Sequence, residues 1–142
     1  MIRDNWETPQ KLFDQLNEQY KFDFDCCAVK TNTKCKEWTC CFRYYKAFHF
    51  TCWMNPPFSK SYEMFEEFFK IEEGVAIYRC DNMETKIWQE QILSNASWIF
   101  IFNKRIQYEG QEGQGARFPS ALIGYNVDPP ELKNGILLVV YK

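Results

Sequence analysis

The stretch Phe50-Thr51-Cys52-Trp53-Met54-Asn55-Pro56-Pro57-Phe58 decides how this chain is read. Its first five residues form a short, mostly apolar run, the profile of a buried strand. Two consecutive prolines then fix φ at about −65° and stiffen the turn that follows. Whatever Asn55 and Phe58 present at that turn stays aimed by the backbone.

On both sides of this unit, strand and helix signals alternate. Thr8-Pro9 opens a segment with Leu12, Phe13, Leu16 and Tyr20 at helical spacing, with Thr8 as the expected cap and Pro9 in the first helical position. Lys21–Asp25 alternates polar and apolar residues and predicts a strand ending near Ala28. Residues 29–49 show little periodicity beyond a short helix or turn at Asn32–Trp38. Downstream, Ser59 or Ser61 is expected to cap a helix running to about Glu73. Tyr62, Phe65, Phe68 and Phe69 supply its apolar stripe and Gly74 its stop. Val75–Tyr78, Trp98–Phe102 and Lys104–Tyr108 read as strands, and Thr85–Asn95 reads as a helix. Glu109–Gly115, with its glycines, reads as a hairpin tip. Ala121–Tyr125 and Ile136–Tyr141 close a β-rich C-terminal part. The pattern predicts a single α/β domain over residues 1–142, built on an open and largely parallel sheet. Ligands of such sheets bind at the carboxyl ends of the strands, which puts Asp25–Ala28 and Asn55–Phe58 on one rim.

Composition narrows the classes. A chain of 142 residues is most simply one domain, burying about 70% of its unfolded surface. No apolar run approaches the roughly 20 residues of a membrane span, and Met1–Trp6 is too polar for a secretory signal. A soluble, cytoplasmic protein is expected. Seven cysteines cannot all pair, and reduced cysteines suit that compartment. Six of them lie between Cys26 and Cys52, which raises the question of zinc. The spacings are irregular, no C-x-x-C is present and His49 is the sole histidine, so small buried core residues are expected and no metal.

A net charge of −2 argues against coating nucleic acid through bulk electrostatics. The distribution says more: residues 1–25 carry net −3, residues 26–60 net +5 and residues 61–142 net −4. The basic segment, which includes Lys34 and Lys60, runs into the Asn-Pro-Pro-Phe turn. Lysines there can meet phosphates beside the turn, the plainer alternative being a solvated loop.

The turn itself suits the exocyclic amine of a nucleic-acid base. That amine is a poor nucleophile because its lone pair is delocalised into the ring. An acceptor at Asn55 and the carbonyl of Pro56 can take its two hydrogens and draw the nitrogen towards tetrahedral geometry, freeing the lone pair. Phe58 offers a ring on which an extruded base can stack, a contact worth about 1–3 kcal/mol. A rigid strand exit with no chemistry is the bland alternative for the tetrapeptide alone.

Further motifs extend the pattern. Trp6-Glu7-Thr8-Pro9 precedes the amphipathic helix, and Phe22-Asp23-Phe24-Asp25-Cys26-Cys27-Ala28 is an aromatic-rich strand ending in Asp and Ala. Asn32-Thr33-Lys34-Cys35 is followed by Trp38, while Thr85, Trp88 and Arg105-Ile106 lie downstream of the turn. In this order and spacing the chain resembles the phage-type DNA N-6-adenine methyltransferases, the small Dam-like enzymes of phages and prophages. The resemblance covers most of the chain. It implies a Rossmann-like methyltransferase sheet that uses S-adenosylmethionine and acts on double-stranded DNA, in the host cytoplasm for a phage-encoded protein. It implies that Trp6, Thr8 and Pro9 line the methionine side of the cofactor, and that Asp25, with Ala28 beside it, meets the cofactor's ammonium. It further implies that Asn55, Pro56, Pro57 and Phe58 hold the adenine.

The chain departs from the family in three places. An acid followed by Gly or Ala and Leu, which commonly binds the cofactor ribose, is replaced by Cys40-Cys41-Phe42-Arg43-Tyr44-Tyr45. Only 30 residues separate Asp25 from Asn55, too few for two complete βα units, so a pared-down sheet is expected. Phe58 stands where the family has Tyr, and the stacking ring is kept.

Two classes of function follow. One is an adenine-N6 methyltransferase working by direct methyl transfer; a cytosine-N4 enzyme would use the same amine geometry, and only the resemblance favours adenine. The other is a catalytically degenerate protein on the same fold that binds DNA, cofactor or a protein partner without turnover. For base readout the candidates are Lys104, Arg105 and Arg117, whose alternative is ordinary surface charge. The sequence does not give the oligomeric state; a homodimer is one arrangement that would give so short a chain more contact area on DNA.

Overall fold

The computed structural model describes residues 6–40, 42, 50–110 and 117–141. Seven strands form one sheet: β1 (Phe24–Asp25), β2 (Glu37–Trp38), β3 (Thr51–Met54), β4 (Glu73–Arg79), β5 (Trp98–Phe102), β6 (Ser120–Tyr125) and β7 (Gly135–Val139). Their spatial order is β2-β1-β3-β4-β6-β5-β7. The first four strands are mutually parallel. β6 inserts antiparallel between β4 and β5, and β7 lies antiparallel on the outer side of β5. The sheet is thus parallel in its first half and antiparallel in its second.

Strand side chains point alternately to opposite faces, and here each face has its own core. Trp53 of β3, Val75 and Ile77 of β4, and Trp98 and Phe100 of β5 pack with Phe13 and Leu16 of helix α1 (Gln10–Tyr20). Cys52 and Met54, Ala76 and Tyr78, and Ile99 pack on the other face with Met64, Phe65 and Phe68 of helix α2 (Ser61–Phe68). Trp88 and Ile92 join that second core from a helix that is π-helical over Ile87–Ile92 and α-helical over Leu93–Asn95 (α3). Strands buried on both faces must be apolar at consecutive positions, which is why β3, β4 and β5 read as unbroken apolar runs. Among the described residues no helix is long and apolar enough to cross a membrane.

Several local expectations change. Helix α1 starts at Gln10, with Pro9 just outside it and no side-chain cap; the Thr8 hydroxyl is engaged elsewhere. Lys21 ends α1 in the left-handed region, φ 57°, its N–H donating to the Asn17 carbonyl. The expected helix or turn at Asn32–Trp38 is a turn followed by strand β2, held by parallel pairing to β1. Helix α2 stops at Phe68, and Gly74 lies inside β4 rather than at a helix end. A Cβ at Gly74 would stand 2.7 Å from the Cys52 carbonyl oxygen, so the glycine serves close approach of β3 to β4. Ser61 does not cap through acceptance: its hydroxyl donates to the carbonyls of Pro57 and Phe58. Lys104–Tyr108 is not a strand; just beyond it Glu109 forms an isolated bridge with Glu7. Most of the expected hairpin tip at Glu109–Gly115 lies outside the described residues.

Candidate active site

After β1 the chain runs to β2 on one side, then crosses back to form β3 on the other. Such a reversal opens a crevice between the carboxyl ends of the two strands. A cavity of about 480 Å³ occupies it. Asp25, Cys27 and Ala28 line it from the end of β1, Asn55 and Pro57 from the end of β3, and Trp6 and Thr8 from the segment before α1. Asp25 and Trp53 are register partners, so the two strand exits start side by side.

Asn55 ties these pieces together. Its Nδ2 donates to the Trp6 carbonyl oxygen at 2.6 Å and to Thr8 Oγ1 at 3.1 Å. An amide whose nitrogen is fixed in this way presents its oxygen, an acceptor, to any guest. Thr8 is only 1% exposed, so its acceptor is firmly placed. The Pro57 carbonyl accepts the Lys60 N–H at 3.1 Å and the Ser61 hydroxyl at 3.0 Å, which closes the turn on itself.

Asp25 is 3% exposed. Its two oxygens accept the Lys34 N–H at 2.9 Å and the Cys27 N–H at 3.3 Å. Burial disfavours the charged form and pushes the carboxyl up to about 6, against the two backbone N–H groups and the Lys34 charge, which pull it down. A buried carboxylate held part-way to neutrality is stabilised by an arriving cation. Burial likewise raises the thiols of Cys26, Cys27 and Cys35, so they stay protonated at neutral pH. The described cysteines carry no disulfide, and no cluster of metal-ligating side chains occurs among the described residues.

Phe58 is placed differently from Asn55. It stands outside the cavity wall, half-buried in an aromatic group with Trp6, Tyr78 and Phe118 at centroid distances of 6.0, 6.2 and 5.4 Å. The Arg79 guanidinium lies over its ring at 5.3 Å and over Phe118 at 4.6 Å. Asp81 grips that guanidinium with two bonds, Nε to Oδ1 at 2.8 Å and Nη2 to Oδ2 at 2.7 Å. The hydrogen bonds from Arg79 hold the Asp81 carboxyl below the usual range, and the charge of Arg105 adds to this. Pro56 is buried and, like Pro9, does not line the cavity.

The five expected DNA-facing cations divide into two groups. Lys34 and Lys60 line the cavity, and Lys34 Nζ donates to Gln10 Oε1 at 2.9 Å. Arg105 and Arg117 are joined by a bond from Arg105 Nη1 to the Arg117 carbonyl at 3.1 Å, and Lys104 is exposed next to them. Arg79, Asp81 and Phe118 were not singled out by the sequence reading. Arg79 ends an apolar strand run as Asp25 and Asn55 do, and that shared position was the available signal.

A search of curated proteins finds no match to this chain. The family described as DNA N-6-adenine-methyltransferase (Dam) matches residues 1–121, which include every element of the cavity wall and both strand exits. With a match over most of its length, the chain belongs to the DNA N-6-adenine-methyltransferase (Dam) family.

Proposed function

We propose that this protein transfers a methyl group from S-adenosylmethionine to the N6 amine of an adenine flipped out of double-stranded DNA. The observation that carries the reading is the anchoring of the Asn55 amide nitrogen by Trp6 and Thr8, which dedicates Oδ1 to accepting. The cavity residues fit the cofactor. Asp25 is a buried carboxyl suited to an ammonium, and Trp6 carries a buried Nε1 with no hydrogen-bond partner among the described residues. A volume of about 480 Å³ is within the range of small-molecule sites.

When bound, S-adenosylmethionine supplies an electrophilic methyl group on a sulfonium. Asp25 would hold the ammonium end, and Trp6 and Thr8, which line the same cavity, would lie against the ligand. Asn55 Oδ1 and the Pro56 carbonyl accept the two hydrogens of the adenine amine and localise its lone pair on nitrogen. The lone pair so freed would take up the methyl group, the electrons of the C–S bond staying with sulfur. The nitrogen then loses one proton to water. Asn55 stays neutral throughout, and no cysteine is needed as a nucleophile. Phe58 supplies the stacking ring, and the lysines near the cavity meet phosphate.

The deciding experiment is transfer of labelled methyl from S-adenosylmethionine to DNA, with methylated adenine and cytosine separated by mass analysis. N6-methyladenine supports the reading, and N4-methylcytosine moves the substrate to the other amine. Cofactor binding without transfer to any DNA leaves the catalytically degenerate binder.

A further inference from the structure

A base can stack on Phe58 only if a face of its ring is open. That ring is surrounded: Trp6 lies tilted at 38° to it, and the Arg79 guanidinium covers it. The same guanidinium also covers Phe118, so it bridges two rings as a planar group. Its tether is Asp81, two residues along the chain and bonded through both oxygens. The side chains of Arg79 and Asp81 are 30% and 33% exposed, so the pair sits at the mouth of the aromatic group and not in its floor. A guanidinium is flat, delocalised and weakly hydrated, and it shares with a nucleobase the ability to lie on an aromatic face.

We propose that Arg79 is a placeholder on the stacking face of Phe58, keeping the ring ordered in the free protein and yielding that face to the incoming adenine. The inference rests on the proposed role of Phe58 as the base platform. A cation over a ring at a partly exposed site is held less strongly than a stacked base, so the exchange favours the base. Asp81 keeps the displaced side chain within reach and returns it when the product leaves. Arg79 is thus a positioning residue that makes no contact with the reacting atoms.

The test uses a short duplex with 2-aminopurine opposite an abasic site, from which the base leaves the stack at little cost. Binding is read from 2-aminopurine fluorescence. Arg79→Lys keeps the charge but cannot lie flat on two rings while gripping Asp81. It is expected to bind the duplex roughly threefold to tenfold tighter than the parent. Asp81→Asn, which loosens the tether and leaves the rings untouched, should move binding in the same direction by less. In a Phe58→Ala background, Arg79→Lys should have no effect. With Phe58 intact, binding by both single variants that is equal to or weaker than the parent's overturns the placeholder, and a weakening specific to loss of Arg79 would mark a phosphate contact instead. A parent that binds no better than Phe58→Ala removes the platform role of Phe58, and the placeholder with it. The labelled-methyl assay then shows independently whether methyl transfer survives.

Discussion

The Asn55 amide nitrogen lies 2.6 Å from the carbonyl oxygen of Trp6, a residue 49 positions earlier in the chain. This bond and its companion to Thr8 make the strand-end turn and the N-terminal segment one unit. A group proposed to act on the amine is therefore oriented by the same residues that wall the cavity.

Replacing Asn55 separates the two roles. Asn55→Ala removes the acceptor proposed for the amine, and loss of one such preorganised contact commonly costs on the order of 10²–10³ in rate. It also strips the Trp6 carbonyl and Thr8 Oγ1 of their donor, which should lower stability by about 1–3 kcal/mol. Thr8→Val removes one partner of the amide and keeps the acceptor, so about 1 kcal/mol of stability and a much smaller part of the rate should go. Labelled-methyl turnover and thermal melts on both variants check this; an Asn55→Ala protein as fast as the parent would sink the proposed mechanism.

Asp25 makes cofactor affinity depend on pH. Its carboxyl titrates at about 6 in the free protein, and a bound ammonium would pull that value down. Above this pH the ionised group is ready for the cation; below it a proton must first leave. Affinity for S-adenosylhomocysteine should hold steady above about pH 7 and fall below about pH 6 by up to about tenfold per unit. Calorimetry across that range is the measurement, and a flat profile would remove Asp25 from the ammonium contact. For folding the sign is opposite to that of a salt-bridged Asp. The raised value means that the Asp25 contribution is fully present below its ordinary 3.8 and is lost as pH rises through about 6, a difference of order 3 kcal/mol.

Gly124 tests the antiparallel half of the sheet. It pairs with Val75 and Trp98, and a Cβ placed on it would enter the Trp98 indole. Trp98 is 2% exposed, and its Nε1 donates to the Val127 carbonyl at 2.8 Å, so the ring has no room to move. Gly124→Ala should destabilise the protein by about 3 kcal/mol or more. Denaturant melts read the loss, and a change under about 1 kcal/mol would contradict this packing.

The cysteines call for a chelation experiment. Cys26, Cys35 and Cys52 are buried with apolar neighbours on the two sheet faces, and burial keeps the Cys26 and Cys35 thiols protonated. Adding a strong chelator should leave the melting temperature unchanged. One equivalent of zinc per chain, with unfolding on its removal, would assign these residues a different role.

Local chemistry determined a good part of this protein. The apolar run before Asn55 and the fixed φ of Pro56 and Pro57 specify a buried strand and a rigid exit whatever surrounds them. The same reasoning located β4 and β5 and placed Asp25 and Asn55 on one rim, because parallel strands share their carboxyl ends. Periodicity carries no information about partners, and there the reading failed. Lys104–Tyr108 has strand-like residues but pairs with no strand among the described residues, whereas Glu37–Trp38 is a strand because β1 lies beside it. The insertion of β6 between β4 and β5, the outer position of β7 with Ile136 and Val139 exposed, and the Arg79 guanidinium over Phe58 are likewise set by long-range contacts. Such contacts are chosen among distant residues by packing and hydrogen-bond satisfaction, so only the tertiary structure could decide them.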